Sequence, residues 1–261
     1  MPRYRLTIEY EGTRYRGWQA QKNARTVQGE CQAAFAALLK KAPFELHGSG
    51  RTDAGVHALG QVAHLELAAA VEPEGLRRTV NDLLPADIHI LEIRPASPSF
   101  HARHHAEARS YLYQISRRRT ALGKRLVWWI KDPLDEELLR RAGALFVGMH
   151  DFRSFTDADP DEKSTRVLVH DVAVVSAGAL LVIRVVASHF LWKMVRRMVG
   201  VMAEVARGSL PLEAAGELLA TPDPAVARLT APPSGLFLER VLYPGDPPLA
   251  VPQPVLMIPN G

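Results

Sequence analysis

The sequence has 261 residues, a formal net charge of +4, and 47% apolar against 23% charged residues. That is the balance of a folded globular chain with a sizeable core, and it argues against disorder. Cys31 is the only cysteine, which excludes an internal disulfide framework, and no run of ~18 apolar residues offers a membrane span. The opening Met1-Pro2-Arg3-Tyr4-Arg5 lacks the apolar segment of a signal peptide, so a reducing, cytoplasmic setting is expected.

In chain order, Tyr4, Leu6, Ile8 and Tyr10 alternate with Arg3, Arg5, Thr7 and Glu9, the period of a half-buried strand. A polar loop from Glu11 to Arg25 follows. Thr26 then caps an expected helix bearing Val27, Cys31, Ala34 and Leu38, which makes Cys31 a packing residue. Two strands are expected at Phe44–His47 and Gln61–Leu67, a helix at Glu74–Leu84 and a strand at Asp87–Ile93, in the order βαββαβ.

The second half carries the same pattern. Ser110–Ser116 reads as a strand with Tyr111, Tyr113 and Ile115 on one face. Asp132-Pro133 opens an expected helix with the stripe Leu134, Leu138, Ala142 and Leu145. Two strands flank Ser176-Ala177-Gly178, an amphipathic helix spans Phe190–Arg207, and a last strand spans Leu236–Leu242. In that helix Lys193, Arg196 and Arg197 share one face, opposite Leu191, Met194, Met198, Val201 and Val205. The expected fold is α+β: two ferredoxin-like βαββαβ halves, residues 1–98 and 99–244, sharing a central mixed, mostly antiparallel sheet flanked by helices. A Pro-rich tail at 245–261 lies over the surface or a partner subunit.

Charge is unevenly spread. Residues 101–131 carry +7, from Arg103, Arg109, Arg117, Arg118, Arg119, Lys124, Arg125 and Lys131 against Glu107, and the rest of the chain carries −3. Such a patch suits a phosphate backbone or, in the bland reading, a solvated loop. The histidines His101, His104 and His105, like His57 and His64, lack the spacing of a metal motif, so no metal is expected.

The most informative stretch is Gly48-Ser49-Gly50-Arg51-Thr52-Asp53-Ala54-Gly55-Val56-His57, an arginine and one carboxylate among three glycines. Gly55 falls too far from Gly50 for a dinucleotide fingerprint, and Val56-His57 replaces the Lys and Ser or Thr of a P-loop. Two residues apart on an extended segment, Arg51 and Asp53 point to one side, and the cation keeps the carboxylate ionised. The competing reading is a glycine-rich hairpin whose aspartate only caps a turn.

Gly50-Arg51-Thr52-Asp53-Ala54-Gly55-Val56-His57 resembles the signature of the tRNA pseudouridine synthase A family. Further blocks follow that family's order: Tyr10-Glu11-Gly12-Thr13, Gly17-Trp18-Gln19, Thr26-Val27-Gln28, Gly60-Gln61-Val62, Asn81, Leu84-Pro85, Asp87-Ile88, Phe100-His101-Ala102-Arg103, Asp151-Phe152, Met194-Val195-Arg196 and Gly235-Leu236. The resemblance implies the pseudouridine synthase fold and isomerisation of uridines 38, 39 and 40 in the tRNA anticodon stem-loop. It also implies a homodimer and no cofactor. Asp53 becomes the nucleophile with Arg51 beside it, Tyr111 stacks on the target base, Arg196 joins the site, and Leu236 lines the base pocket.

The family's first loop and basic patch contact RNA, which makes Arg14, Arg16, Lys22, Arg25, Arg103 and Arg109 binding candidates, and Lys193, on the cationic face of the long helix, is a further one. Ser110 stands where the family often has a second basic residue. A non-catalytic RNA-binding module and an Asp53-dependent hydrolase remain as alternatives. An anionic carboxylate beside an arginine has no use in the first, and no metal or phosphate motif supports the second.

Overall fold

β1 (Arg3–Tyr10) follows its alternation closely, with Tyr4, Leu6, Ile8 and Tyr10 buried. The computed structural model describes residues 1–40, 42–157 and 164–259, so the last two residues of the expected tail lie outside it. α1 (Val27–Leu38) starts at Thr26, whose side chain accepts from the Gly29 amide and satisfies one of the first turn's orphan N–H groups. Cys31 sits buried on its inner face, and burial pushes its thiol up to about 12, so it remains an inert packing group.

β2 (Phe44–Gly48) pairs antiparallel with β3 (His57–Leu67), which begins four residues before its expected start. α2 (Pro73–Leu83) is capped by Glu72, and the Asn81 amide clasps both the N–H and the C=O of Ile90 on β4 (Ile88–Ala96). β1 lies between β3 and β4, antiparallel to both.

The chain forms two compact units, Met1–Glu107 with Phe237–Asp246, and Ala108–Leu236 with Pro247–Gly261. In the second unit β5 (Ala108–Ser116) pairs parallel with the two-residue β6 (Trp128–Trp129), an element with no sequence signal. α3 (Glu136–Ala144) begins later than Asp132-Pro133 suggested, because the Asp135 carboxylate caps the Glu137 and Leu138 amides. Its inner face lies beside the expected stripe: Leu139, Ala142, Gly143 and Phe146 are buried, Leu134 and Leu138 are half-buried, and Leu145 is exposed.

β7 (Gly148–Asp151), also unforeseen, pairs with β8 (Arg166–Ala177), which pairs with β9 (Leu180–Ala187), which pairs with β5, all antiparallel. α4 (Met194–Ala206) is shorter than the expected Phe190–Arg207, because Lys193 takes a left-handed conformation at φ 64° and ends the run there. α4 is buried on nearly every side. A Cβ on Gly200 would lie 1.6 Å from the Leu229 carbonyl oxygen, so the 3-10 segment Pro224–Leu229 rests on the helix where solvent was expected. Arg197, on the polar face of the expected amphipathic helix, is buried and holds Asp157 and the Ser154 carbonyl.

A short α5 (Ala214–Ala220) follows α4. β10 (Leu236–Leu242) then returns to the first unit, with Phe237 and Leu238 parallel to His57 and Ala58 of β3. Each unit is thus a mostly antiparallel sheet flanked by helices, the α+β class expected. Among the described residues no helix is long and apolar enough to cross a membrane.

Candidate active site

The Asp53 loop joins β2 to β3 and is held along its whole length by the first unit. Ser49 continues the β2–β3 ladder through its amide to the Val62 carbonyl at 2.7 Å, and its hydroxyl donates to Gln61 Oε1 at 2.8 Å. Gln61, fully buried, returns its amide to the Gly50 carbonyl at 3.1 Å. The glycines differ in purpose. A Cβ on Gly48 would strike the Trp18 indole 2.4 Å away, nothing lies within 4 Å of one on Gly50, and only Gly55, at φ 78°, needs the left-handed region. Gly55 is the third residue of a turn closed by the Val56 amide on the Asp53 carbonyl at 3.1 Å.

The polar first loop splits by side-chain type. Tyr15 and Trp18 are buried, which its composition did not suggest, while Arg14, Arg16, Lys22 and Arg25 are exposed. The buried part grips the Asp53 loop. The Trp18 amide donates to the Thr52 carbonyl at 3.1 Å and the Gly55 amide to the Tyr15 carbonyl at 3.2 Å. Gly17, at φ 93°, passes so close that a Cβ would lie 2.4 Å from the Thr52 carbonyl oxygen.

The Gly12 amide donates to His57 Nδ1 at 2.9 Å, and the buried His57 ring stacks on Phe237 at 4.7 Å. Tyr15 donates its hydroxyl to Asp87; burial first, then that bond, raise its ionisation above the usual tyrosine range. Arg25 lies over the Tyr15 ring and pairs with Glu30.

Arg51 is exposed, Thr52 buried and Asp53 half-buried, the alternation that puts Arg51 and Asp53 on the side away from the core. The sequence blocks around Tyr10, Gly12, Gly17-Trp18, Gln28 and Gln61 all close on this loop or its supports. Gln28 bonds the Leu46 carbonyl and the Ala20 amide. In the sequence alone these blocks mark only a resemblance. Their structural use at Tyr10, Thr52 and His57 was missed, although the inward phase of Tyr10 on β1 was its one available signal.

The remaining candidates lie in the second unit, apart from Arg103, which is exposed in the first. Tyr111, on β5, is half-buried and packs edge-to-face on Phe190 at 4.9 Å. Tyr113 is buried and donates to the Pro232 carbonyl at 2.7 Å; burial pushes its hydroxyl well above the ordinary range. Gly235 has room for no side chain, since a Cβ would lie 2.7 Å from the Tyr113 ring, and the buried Leu236 follows it directly.

Arg196 donates from Nε to the Ala231 carbonyl at 2.7 Å, while its own carbonyl accepts from the Ala231 amide at 3.0 Å. Arg109 donates to the Ser188 carbonyl at 2.9 Å, and Ser110 is buried, so the position that departs from the family pattern presents no side chain to solvent. Lys193 reaches Asp157 at 2.5 Å and lies 4.8 Å over Trp192; this pair, with Arg197, holds the Asp157 carboxyl below its usual range. Among the described residues no group of three or more His, Cys, Asp or Glu is placed to hold a metal ion.

Residues 6–105 and 142–244 match the family model described as tRNA pseudouridine synthase. The chain belongs to that family. Proteins named tRNA pseudouridine synthase A align along nearly the whole chain. One from Bradyrhizobium sp. is 39% identical, covering 93% of this chain and 100% of its own. One from Citrifermentans bemidjiense is 42% identical, covering 93% and 98%. One from Myxococcus xanthus is 37% identical, covering 97% and 96%. The chain is thus an enzyme of the isomerase type that a tRNA pseudouridine synthase represents. Asp53, Arg51, Arg196 and Leu236 fall within the matched residues of the family model, whereas Arg109 and Tyr111 fall between its two segments.

Proposed function

We propose that the chain isomerises uridines 38, 39 and 40 of the tRNA anticodon stem-loop, with Asp53 as nucleophile. The N1–C1′ bond breaks, the retained base turns, and a C5–C1′ bond forms; the proton leaves C5 and N1 gains one, so composition is unchanged. Asp53 bonds transiently to C6 of the uracil or C1′ of the sugar, and both routes need an ionised carboxylate held in one place. The observation that carries this reading is the fixed backbone on both sides of Asp53, with Trp18 on the Thr52 carbonyl and Val56 on the Asp53 carbonyl.

In this reading Arg51 keeps the carboxylate ionised, and Tyr111 stacks on the target base, a contact worth ~1–3 kcal/mol. Leu236 supplies an apolar wall and Arg196 a cation within the site. Arg14, Arg16, Lys22, Arg25, Arg103, Arg109 and Lys193 meet the RNA backbone, Lys193 by exchanging Asp157 for a phosphate. The enzyme acts as a cytoplasmic homodimer and needs no cofactor, because the reaction has no redox or phosphoryl step.

The test compares wild type with Asp53→Asn on transcribed tRNA bearing uridines 38 to 40, mapping pseudouridine by position and measuring binding. Product from wild type alone, with both proteins binding, is expected. Product from both would remove Asp53 as nucleophile, and binding without product from either would favour an RNA-binding module.

A further inference from the structure

We infer that Tyr10 is a positioning residue for Asp53, acting through a buried hydrogen bond to the Thr52 hydroxyl. The inference rests on Asp53 being the nucleophile and concerns how its carboxylate is aimed. Tyr10 is the last residue of β1, and its hydroxyl lies 2.7 Å from Thr52 Oγ1 with both side chains buried. Thr52 precedes Asp53 directly. Its carbonyl is already committed to the Trp18 amide at 3.1 Å, which fixes the plane of the peptide leading into Asp53.

The Tyr10 contact fixes the other freedom of Thr52, its side-chain rotamer. Thr52 thereby becomes a rigid post facing the core, and its two neighbours, Arg51 and Asp53, are turned the other way. The Tyr10 ring is itself braced by Trp18, with ring centroids 6.1 Å apart. Packing alone does not call for this pair of hydroxyls. Phenylalanine and valine would fill the same space, and each buried hydroxyl must be satisfied or carry a desolvation cost. What the hydroxyls add is direction.

The experiment uses Thr52→Val, Thr52→Ser, Tyr10→Phe and the Tyr10→Phe/Thr52→Val double variant, with Asp53→Asn alongside. Each is measured for kcat and KM on transcribed tRNA and for thermal midpoint. Thr52→Val and Tyr10→Phe are each expected to lower kcat by about 10- to 100-fold with KM within about twofold of wild type, since small misplacements of a reacting group cost on that scale. Thr52→Ser, which keeps the hydroxyl, restores most of the rate, and the double variant is no slower than either single one, because both remove the same bond.

Wild-type rates for Thr52→Val and Tyr10→Phe, with Asp53→Asn inactive, would overturn the inference and leave Asp53 as nucleophile. Equal loss in Thr52→Val and Thr52→Ser, tracking a lowered thermal midpoint, would also overturn it by showing a purely structural role. An active Asp53→Asn would remove the nucleophile and the inference together.

Discussion

His64 lies fully inside the first unit, and its Nδ1 accepts from the Ala102 amide at 3.2 Å, so the folded protein requires this ring neutral. Burial, reinforced by His101, His47 and Arg3 and opposed by Glu45, pushes its pKa down to about 4 from 6.5. Glu66 stands 3.9 Å from its other nitrogen. The unfolded chain therefore takes up this proton first. Stability attributable to His64 is complete above pH 6.5 and is lost as pH falls toward 4, by roughly 3 kcal/mol at most. Urea unfolding across that range should show the loss, and His64→Leu should flatten it while lowering stability at neutral pH, because Ala102 loses its acceptor. A flat wild-type profile would refute the assignment. The sequence showed these histidines only as neighbours that fail a metal spacing. Their use as a packed row, with His47 stacked 5.0 Å from His64 and His101 at 4.7 Å, depends on a strand register that no local pattern reveals.

Elements were most legible where one face meets the core and the other meets water. β1 and β10 match their expected bounds, and α1 begins at its cap. Legibility failed where distant segments cover a second face of α4: Leu229 packs at Gly200, and Arg197 is an interior group bonded to Ser154 and Asp157. The same logic separates glycines that look alike on paper. Gly17→Ala would face both a left-handed backbone and a carbonyl oxygen 2.4 Å away, so a loss of about 3 kcal/mol or more is expected, with activity falling because Thr52 is displaced. Gly50→Ala has open space and should change stability by less than about 0.5 kcal/mol. Thermal midpoints of the two variants decide the matter, and equal midpoints would contradict it.

At the scale of the whole molecule, part of the basic run between residues 101 and 131 is committed to contacts within the protein. Arg117 pairs with Glu136 and the Gly178 carbonyl, and Arg118 donates to the Pro259 carbonyl at 2.9 Å. The tail is thereby fastened to its own second unit, with Val255 donating to Gln114 at 2.6 Å and Ile258 accepting from the Ala179 amide at 3.0 Å. Ending the chain after Asp246 should strip those partners, lower the thermal midpoint by several degrees, and speed hydrogen exchange at the Ala179 amide. Unchanged exchange there would show the tail to be dispensable. The course of the chain also sets an order in time. The first unit holds Asp53 yet is completed by Phe237–Asp246, which bring Phe237 beneath His57, Tyr243 onto the Ala102 carbonyl at 2.6 Å, and Asp246 to 3.7 Å from Arg5. During synthesis at ~5–20 residues per second, Asp53 is made early and its unit waits for a strand far along the chain. A chain halted before that strand holds the Asp53 loop on an unfinished scaffold, so the first unit closes only after residues 108–236 have been made.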